Sequence, residues 1–221
     1  MTTPKIVVVN AGLGQPSSTR LLGERLAHAT SEALGAPERD VRVEMVDLRP
    51  LAHQLVDSML TGFPAPELAE AIEHVRTADA LIAVTPVFTA SYSGLFKLFF
   101  DAVEPEQLAG KPVLIGATAG TPRHALVLEH AMRPLFTYLH AVVVPTSVFA
   151  ASSDWGEAAS GADGDGSPLA RRIRQAAGEL TALVSGGAST GAGDRPPADE
   201  EFTDLVPFGD LLAGRPAPKH R

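Results

Sequence analysis

The chain has 221 residues, the size of one ordinary domain, and its 45% apolar and 20% charged residues allow a packed core. Lys and Arg number 18 against 26 Asp and Glu, a formal charge of −8, which argues against the broad basic face a nucleic-acid partner needs and leaves a local anion site open. The lack of cysteine excludes disulfides, thiolate nucleophiles, Cys-ligated zinc and iron–sulfur clusters. No apolar run approaches the roughly 18 residues of a membrane span. Met1 to Lys5 lead straight into a strand instead of a signal peptide, so a cytoplasmic protein with no membrane partner is expected.

In chain order, Lys5 to Asn10 is a β-branched run without alternation, the pattern of a strand buried on both faces of a parallel sheet. A loop with Gly12, Gly14 and Pro16 leads into a helix with Leu22, Leu26, Ala29 and Ala33 on one face, stopped by Gly35 and Pro37. Strand two spans 41–46, ending at Asp47, and 48–63 reads as irregular because of Pro50, Gly62 and Pro64. A helix over 65–76, strand three at 80–85, a helix over 91–103, strand four at 112–117, a helix over 122–139 and strand five at 141–144, bounded by Pro145, continue the alternation. A Ser/Gly/Asp-rich stretch over 152–167 precedes a last helix with Leu169, Ile173, Ala176, Leu180 and Leu183 on one face. Strict β-α alternation predicts an α/β three-layer sandwich on a five-stranded parallel sheet with right-handed crossovers. Residues 1–185 form the domain, and 186–221 shift to Gly, Ser, Ala, Pro and Asp, the composition of a flexible tail. Within it, Phe202, Leu205, Val206, Phe208, Leu211 and Leu212 either dock on a neighbour or stay free.

Ligands of open α/β sheets bind beyond the carboxyl ends of the strands, which directs attention to three loops. After strand one, Gly12 and Gly14 permit a tight turn, and Ser17, Ser18, Thr19 and Arg20 arrive at a helix N-terminus, where free N–H groups and the dipole favour a phosphate. One capping residue explains one hydroxyl, not three with an arginine. Gly12-x-Gly14 also invites a dinucleotide reading, but Ser17 stands where that motif needs its third glycine, and Asp47 lies too far along. After strand three, Pro86 holds Thr85 extended, and the backbone of Pro86 to Thr89 can face a flat polar ring while Phe88 and Tyr92 pack. After strand four, Thr118, Gly120 and Thr121 precede Pro122 and offer a second close backbone approach, with Arg123 and His124 beside it.

Pro134 has no N–H, so the carbonyl of His130 loses its regular partner, giving either a kink or a π-bulge. The run Leu95 to Phe100 is apolar almost all round, which predicts a face left bare on a monomer and covered in a symmetric oligomer. No histidine or carboxylate group has metal spacing, so no metal site is expected, and no Gly-x-Ser-x-Gly elbow is present.

The run from Thr85 to Lys97, TPVFTASYSGLFK, closely resembles the T-P-(V/I)-Y-x-x-x-x-S-G-x-x-K signature of NAD(P)H-dependent FMN reductases with a flavodoxin-like fold. The resemblance covers about residues 5–150 and is closest to the reductases of two-component systems that supply reduced FMN to alkanesulfonate and other luciferase-like monooxygenases. The stretch from Gly110 through Thr121 to Pro134 is similar to theirs in order and spacing.

The resemblance implies a sheet order of 2-1-3-4-5, FMN as cofactor with NADPH or NADH as donor, and a homodimer or homotetramer with a monooxygenase partner. It implies that Ser17, Thr19 and Arg20 hold the phosphate on the loop that Gly12 opens, and that the ring lies against the backbone of Pro86, Val87, Phe88 and Thr89 and the Thr118, Gly120 and Thr121 turn, with Tyr92 also in the cofactor site. It also implies a π-helix around His130. Two departures stand out: Gly12-Leu13-Gly14-Gln15 replaces the usual Gly-Ser-x-Arg, and Phe88 replaces a tyrosine. Hydride chemistry belongs to such cofactors, so no catalytic side chain is assigned. Arg20, Arg123 and Arg133 are all candidates for a 2′-phosphate, and a quinone reductase with retained FMN or a flavodoxin-like electron carrier are the competing readings.

Overall fold

A computed structural model describes residues 3–36, 40–159 and 167–186, with the side chains of 156–159 left aside. Pro37, part of the 152–167 stretch and the whole C-terminal segment beyond Gly186, with its apolar group at Phe202 to Leu212, lie outside the described residues.

Seven strands form one sheet: β1 (Lys5–Asn10), β2 (Arg42–Asp47), β3 (Ala80–Phe88), β4 (Ser91–Tyr92), β5 (Pro112–Ala119), β6 (Val142–Val143) and β7 (Val148–Ala151). The parallel lanes run β2-β1-β3-β5, followed by a fifth lane shared by β6 and β7. Counted by lanes this is 2-1-3-4-5, the flavodoxin-like order. The fifth lane departs from expectation: β6 pairs with Pro112 and Val113, the chain leaves at Pro145, and β7 resumes against Gly116 to Ala119. A proline supplies no ladder N–H, so the lane breaks there without ending.

Around the sheet lie α1 (Ser18–Ala33), α2 (Ala52–Thr61), α3 (Pro66–Thr77), α4 (Gly94–Asp101), α5 (Pro105–Leu108), α6 (Arg133–Tyr138), α7 (Ser152–Ala159) and α8 (Pro168–Gly186). Alternate residues of each central strand serve two cores, as the two-residue strand period requires. Ile6, Val8, Ile82 and Leu114 join Leu22 and Leu26 of α1 and Ile173 and Leu180 of α8, while Val7, Val9, Leu81 and Ile115 join Leu55, Leu68, Phe96 and Phe136 of the opposite layer. Helix α1 lies close on the sheet through two glycines. A Cβ at Gly23 would come within 3.0 Å of Val8, and one at Gly116 within 3.0 Å of Val84.

Several expectations are corrected. Residues 48–63 contain a 3-10 turn, Arg49–Leu51, and α2; Pro50 sits in the first turn and Gly62, at φ 78°, ends α2 in the left-handed region. In α1 the buried stripe includes Ala27 and Thr30 instead of Ala33, because the Thr30 hydroxyl donates to the Leu26 carbonyl at 2.8 Å and can be buried. Helix α4 starts only at Gly94, after Ser93 caps it. It leaves no bare face: Leu95 and Leu98 are half-buried, and α2 packs on α4. A run of exposed apolar residues lies instead on α2 and its exit, at Val56, Met59, Leu60 and Phe63. The start of the 152–167 stretch is helical, as α7.

Candidate functional site

Strand register assembles the three loops. Asn10 at the end of β1 is paired with Asp47 on one side and Val84 on the other, and Pro86 is paired with Thr118. The exits of β1, β3 and β5 therefore share one edge of the sheet.

The first loop is tight because two glycines carry no side chain. A Cβ on Gly12 would lie 2.2 Å from Ser17 Oγ, and one on Gly14 would lie 2.8 Å from the Pro16 carbonyl. Ser17 is the N-cap of α1, and its hydroxyl accepts from the Arg20 amide at 3.2 Å. The earlier amides of that turn have no intrahelical acceptor by position, so they and the helix dipole face the loop. Arg20 is held by carboxylates: Nε donates to Glu24 Oε1 at 2.8 Å and Nη1 donates to Asp47 Oδ2. Hydrogen bonding to Glu24 and the charge of Asp47 keep the guanidinium firmly ionised. Asp47 Oδ1 accepts from Asn10 Nδ2 at 2.9 Å, and Asn10 Oδ1 accepts the Gly12 amide at 3.0 Å. Asn10 and Asp47 line the cleft beside this loop and are the residues that loop-by-loop reading leaves out of the candidate site. Their signal was two polar residues closing two adjacent strands.

The second loop is a hairpin. β3 continues through Pro86 to Phe88 and turns back as β4, with Val87 opposite Tyr92 and Phe88 opposite Ser91. The turn residues Thr89 and Ala90 have φ of 48° and 66°, the left-handed pair that a tight two-residue hairpin requires. Phe88 and Thr89 are exposed, Pro86 and Val87 half-buried, and the Tyr92 ring packs 5.7 Å from Phe96. Buried Thr85 accepts the Ser93 amide at 3.1 Å and so fixes the hairpin base to the start of α4.

The third loop meets the first. Thr118 and Thr19 are 3% and 2% exposed and their hydroxyl oxygens are 2.7 Å apart, so both face inward instead of the mouth of the site. Gly120 and Thr121 are exposed, and a Cβ on Gly120 would meet open space. The expected 122–139 helix is three segments: a 3-10 turn Pro122–His124, a π-helix Leu128–Met132, and α6. The Arg133 amide donates to the Leu128 carbonyl, five residues back, and Pro134 sits in the first turn of α6, so the bulge of the two earlier options is the one that forms. His130 is exposed on it, and Arg123 and His124 are exposed beside the third loop. Arg133 is engaged elsewhere: it donates to both Glu129 oxygens, to the Val144 carbonyl at 3.1 Å and to the Pro145 carbonyl at 3.2 Å, clamping the π-helix to the break in the fifth lane. Its proximity holds the Glu129 carboxyl below the usual range.

These parts suit a ligand with an anionic end and a flat polar body: a glycine-walled loop at a helix N-terminus, an exposed hairpin edge, and a glycine turn with space above it. FMN has that chemistry.

Comparison with known proteins agrees. The NADPH-dependent FMN reductase family model matches residues 4–156. The chain is 35% identical over 190 residues to an FMN reductase (NADPH) of Pseudomonas aeruginosa, covering 86% of this chain and 97% of that one. It is 37% identical over 174 residues to the NADH-dependent FMN reductase SfnF of Pseudomonas fluorescens, covering 78% and 88%. Among solved structures, an oxidoreductase from Corynebacterium diphtheriae superposes with a TM-score of 0.76 at 41% identity, covering 83% of this chain and 98% of the other. On this match, and with the loops its signature residues build, the chain belongs to the NADPH-dependent FMN reductase family of flavodoxin-like oxidoreductases.

Proposed function

We propose that this enzyme oxidises NADPH or NADH and reduces FMN taken up as a diffusible substrate, which then leaves for a flavin-dependent monooxygenase. The observation that carries the reading is the meeting of the three loops at one sheet edge, with the phosphate-type loop and the hairpin 85–93 side by side. Bound FMN supplies the hydride-accepting chemistry. The chain supplies position and shelter. Gly12 and Ser17 shape the anion pocket, Arg20 adds charge, and Thr19 braces the pocket from below through Thr118. The backbone of Pro86 to Thr89 and of Thr118 to Thr121 lines the ring, Phe88 covers its edge, and Tyr92 supports the hairpin from the core side.

The reading extends to a cytoplasmic homodimer or homotetramer with His130 at its interface. Sedimentation of the wild type against His130→Ala tests that part; unchanged mass and unchanged flavin transfer would remove the role of His130.

The main test is NADPH and NADH oxidation at 340 nm by protein stripped of flavin, with FMN varied. Rates that rise and saturate with FMN support the proposal, and relatives named for each nicotinamide make both donors necessary. Rates that need a quinone and a retained flavin would replace it with a quinone reductase. Flavin binding without any turnover would leave an electron carrier.

A further inference from the structure

Two arginines, Arg20 and Arg49, line the cleft beside the first loop. Arg20 stands on the opening turn of α1, where an anion would sit, yet carboxylates from two elements hold it: Glu24 from its own helix and Asp47 from the end of β2. A phosphate monoester carries nearly two negative charges at neutral pH. An unengaged arginine would grip it through two parallel hydrogen bonds. Here the phosphate must share or displace a carboxylate already in place, and it meets the Asp47 charge at close range. Asp47 cannot simply turn away, because its other oxygen accepts from Asn10 Nδ2, and Asn10 is fixed in turn by its Oδ1, which accepts the Gly12 amide.

We propose that Asp47, supported by Glu24, competes with the flavin phosphate for Arg20 and thereby sets a loose hold on FMN, so that flavin exchanges as a substrate. The inference rests on the reading that the first loop holds the phosphate. It assigns a role to a residue outside the pocket's expected set: Asp47 acts on affinity through Arg20, as a positioning residue.

The test is binding of FMN and of riboflavin, which lacks the phosphate, to the full chain by flavin fluorescence. Asp47→Asn keeps the shape and the acceptor for Asn10 while removing the charge. It is expected to tighten FMN about tenfold and leave riboflavin unchanged, as lifting one close charge repulsion in a partly solvated site predicts. Glu24→Gln, on the exposed face of α1, is expected to tighten FMN about threefold. If Asp47→Asn does not fold, Glu24→Gln decides alone: FMN-specific tightening supports the proposal and no shift overturns it. Arg20→Gln separates the two readings. Should Arg20→Gln weaken FMN but not riboflavin while Asp47→Asn leaves FMN unchanged or weaker, the competition is wrong and the phosphate site stands. Should Arg20→Gln leave FMN unaffected, the phosphate does not lie on Arg20 and both fall.

Discussion

Thr19, on the first turn of α1, and Thr118, at the end of β5, face each other hydroxyl to hydroxyl at 2.7 Å inside the protein, 99 residues apart in the chain. The pair joins the loop read as the phosphate site to the loop read as the ring site. Thr118→Val keeps the shape and strands a buried hydroxyl on Thr19, which costs about 1–3 kcal/mol. Replacing both with Val should cost less than the sum of the single changes, and a double-mutant cycle in urea measures the difference. Additive costs would show that the two hydroxyls do not depend on each other.

The two loop glycines should respond in opposite ways. A Cβ at Gly12 collides with Ser17 Oγ, so Gly12→Ala must open the loop and lower the melting temperature. A Cβ at Gly120 meets nothing, so Gly120→Val should melt with the wild type and yet bind FMN at least tenfold more weakly, by blocking the approach of the ring. Thermal melts and flavin fluorescence on the same samples decide the matter; unchanged FMN affinity in Gly120→Val would move the ring away from this turn.

The hairpin turn holds two residues with side chains in the left-handed region, at a cost of about 1 kcal/mol each. Ala90→Gly relieves one of them and should stabilise the fold by about 0.5–1 kcal/mol, a rise of about 2 °C in a domain of this size. A lower melting temperature would mean that the turn is not strained as its φ angles indicate.

Lys111, at the opposite end of the sheet from the site, donates through Nζ to the Arg76 and Ala78 carbonyls at the end of α3. Burial pushes its pKa down to about 8 from the ordinary 10.5. Between these values the unfolded chain holds a proton that the folded one has released, so stability rises with pH across that window. Below about pH 8 both states are protonated and the cost of the buried charge is fully present. Urea unfolding of wild type and Lys111→Met from pH 7 to about 10.5 should show the wild type gaining on the variant as pH rises. A constant gap would contradict the shift.

The central strands were legible because burial on both faces leaves unbroken apolar runs such as Ile6 to Val9 and Leu81 to Val84. The π-helix was half-legible: Pro134 announces an interrupted ladder, but kink and bulge look alike until Arg133 is seen to donate to Leu128. Other elements hid behind the residues that bound them. Pro50 and Gly62 mark the two ends of a helical stretch and read as a loop, and Pro145 looks like the end of a lane that it only interrupts. Thr89-Ala90 carries none of the Asn-Gly or Asp-Gly chemistry that marks a tight hairpin. The Asn10–Asp47–Arg20 chain depends on strand register, which no local pattern contains.

On the proposed function, the flavin leaves the protein reduced. The most direct measurement places the enzyme, FMN and NADPH or NADH, without oxygen, on one side of a dialysis membrane that passes small molecules only, with cytochrome c on the other. If reduced FMN diffuses from the enzyme, the cytochrome is reduced across the membrane at a rate that follows the FMN concentration. Reduction only when the two proteins share a chamber would mean that the flavin is a fixed group and that no reduced FMN is released.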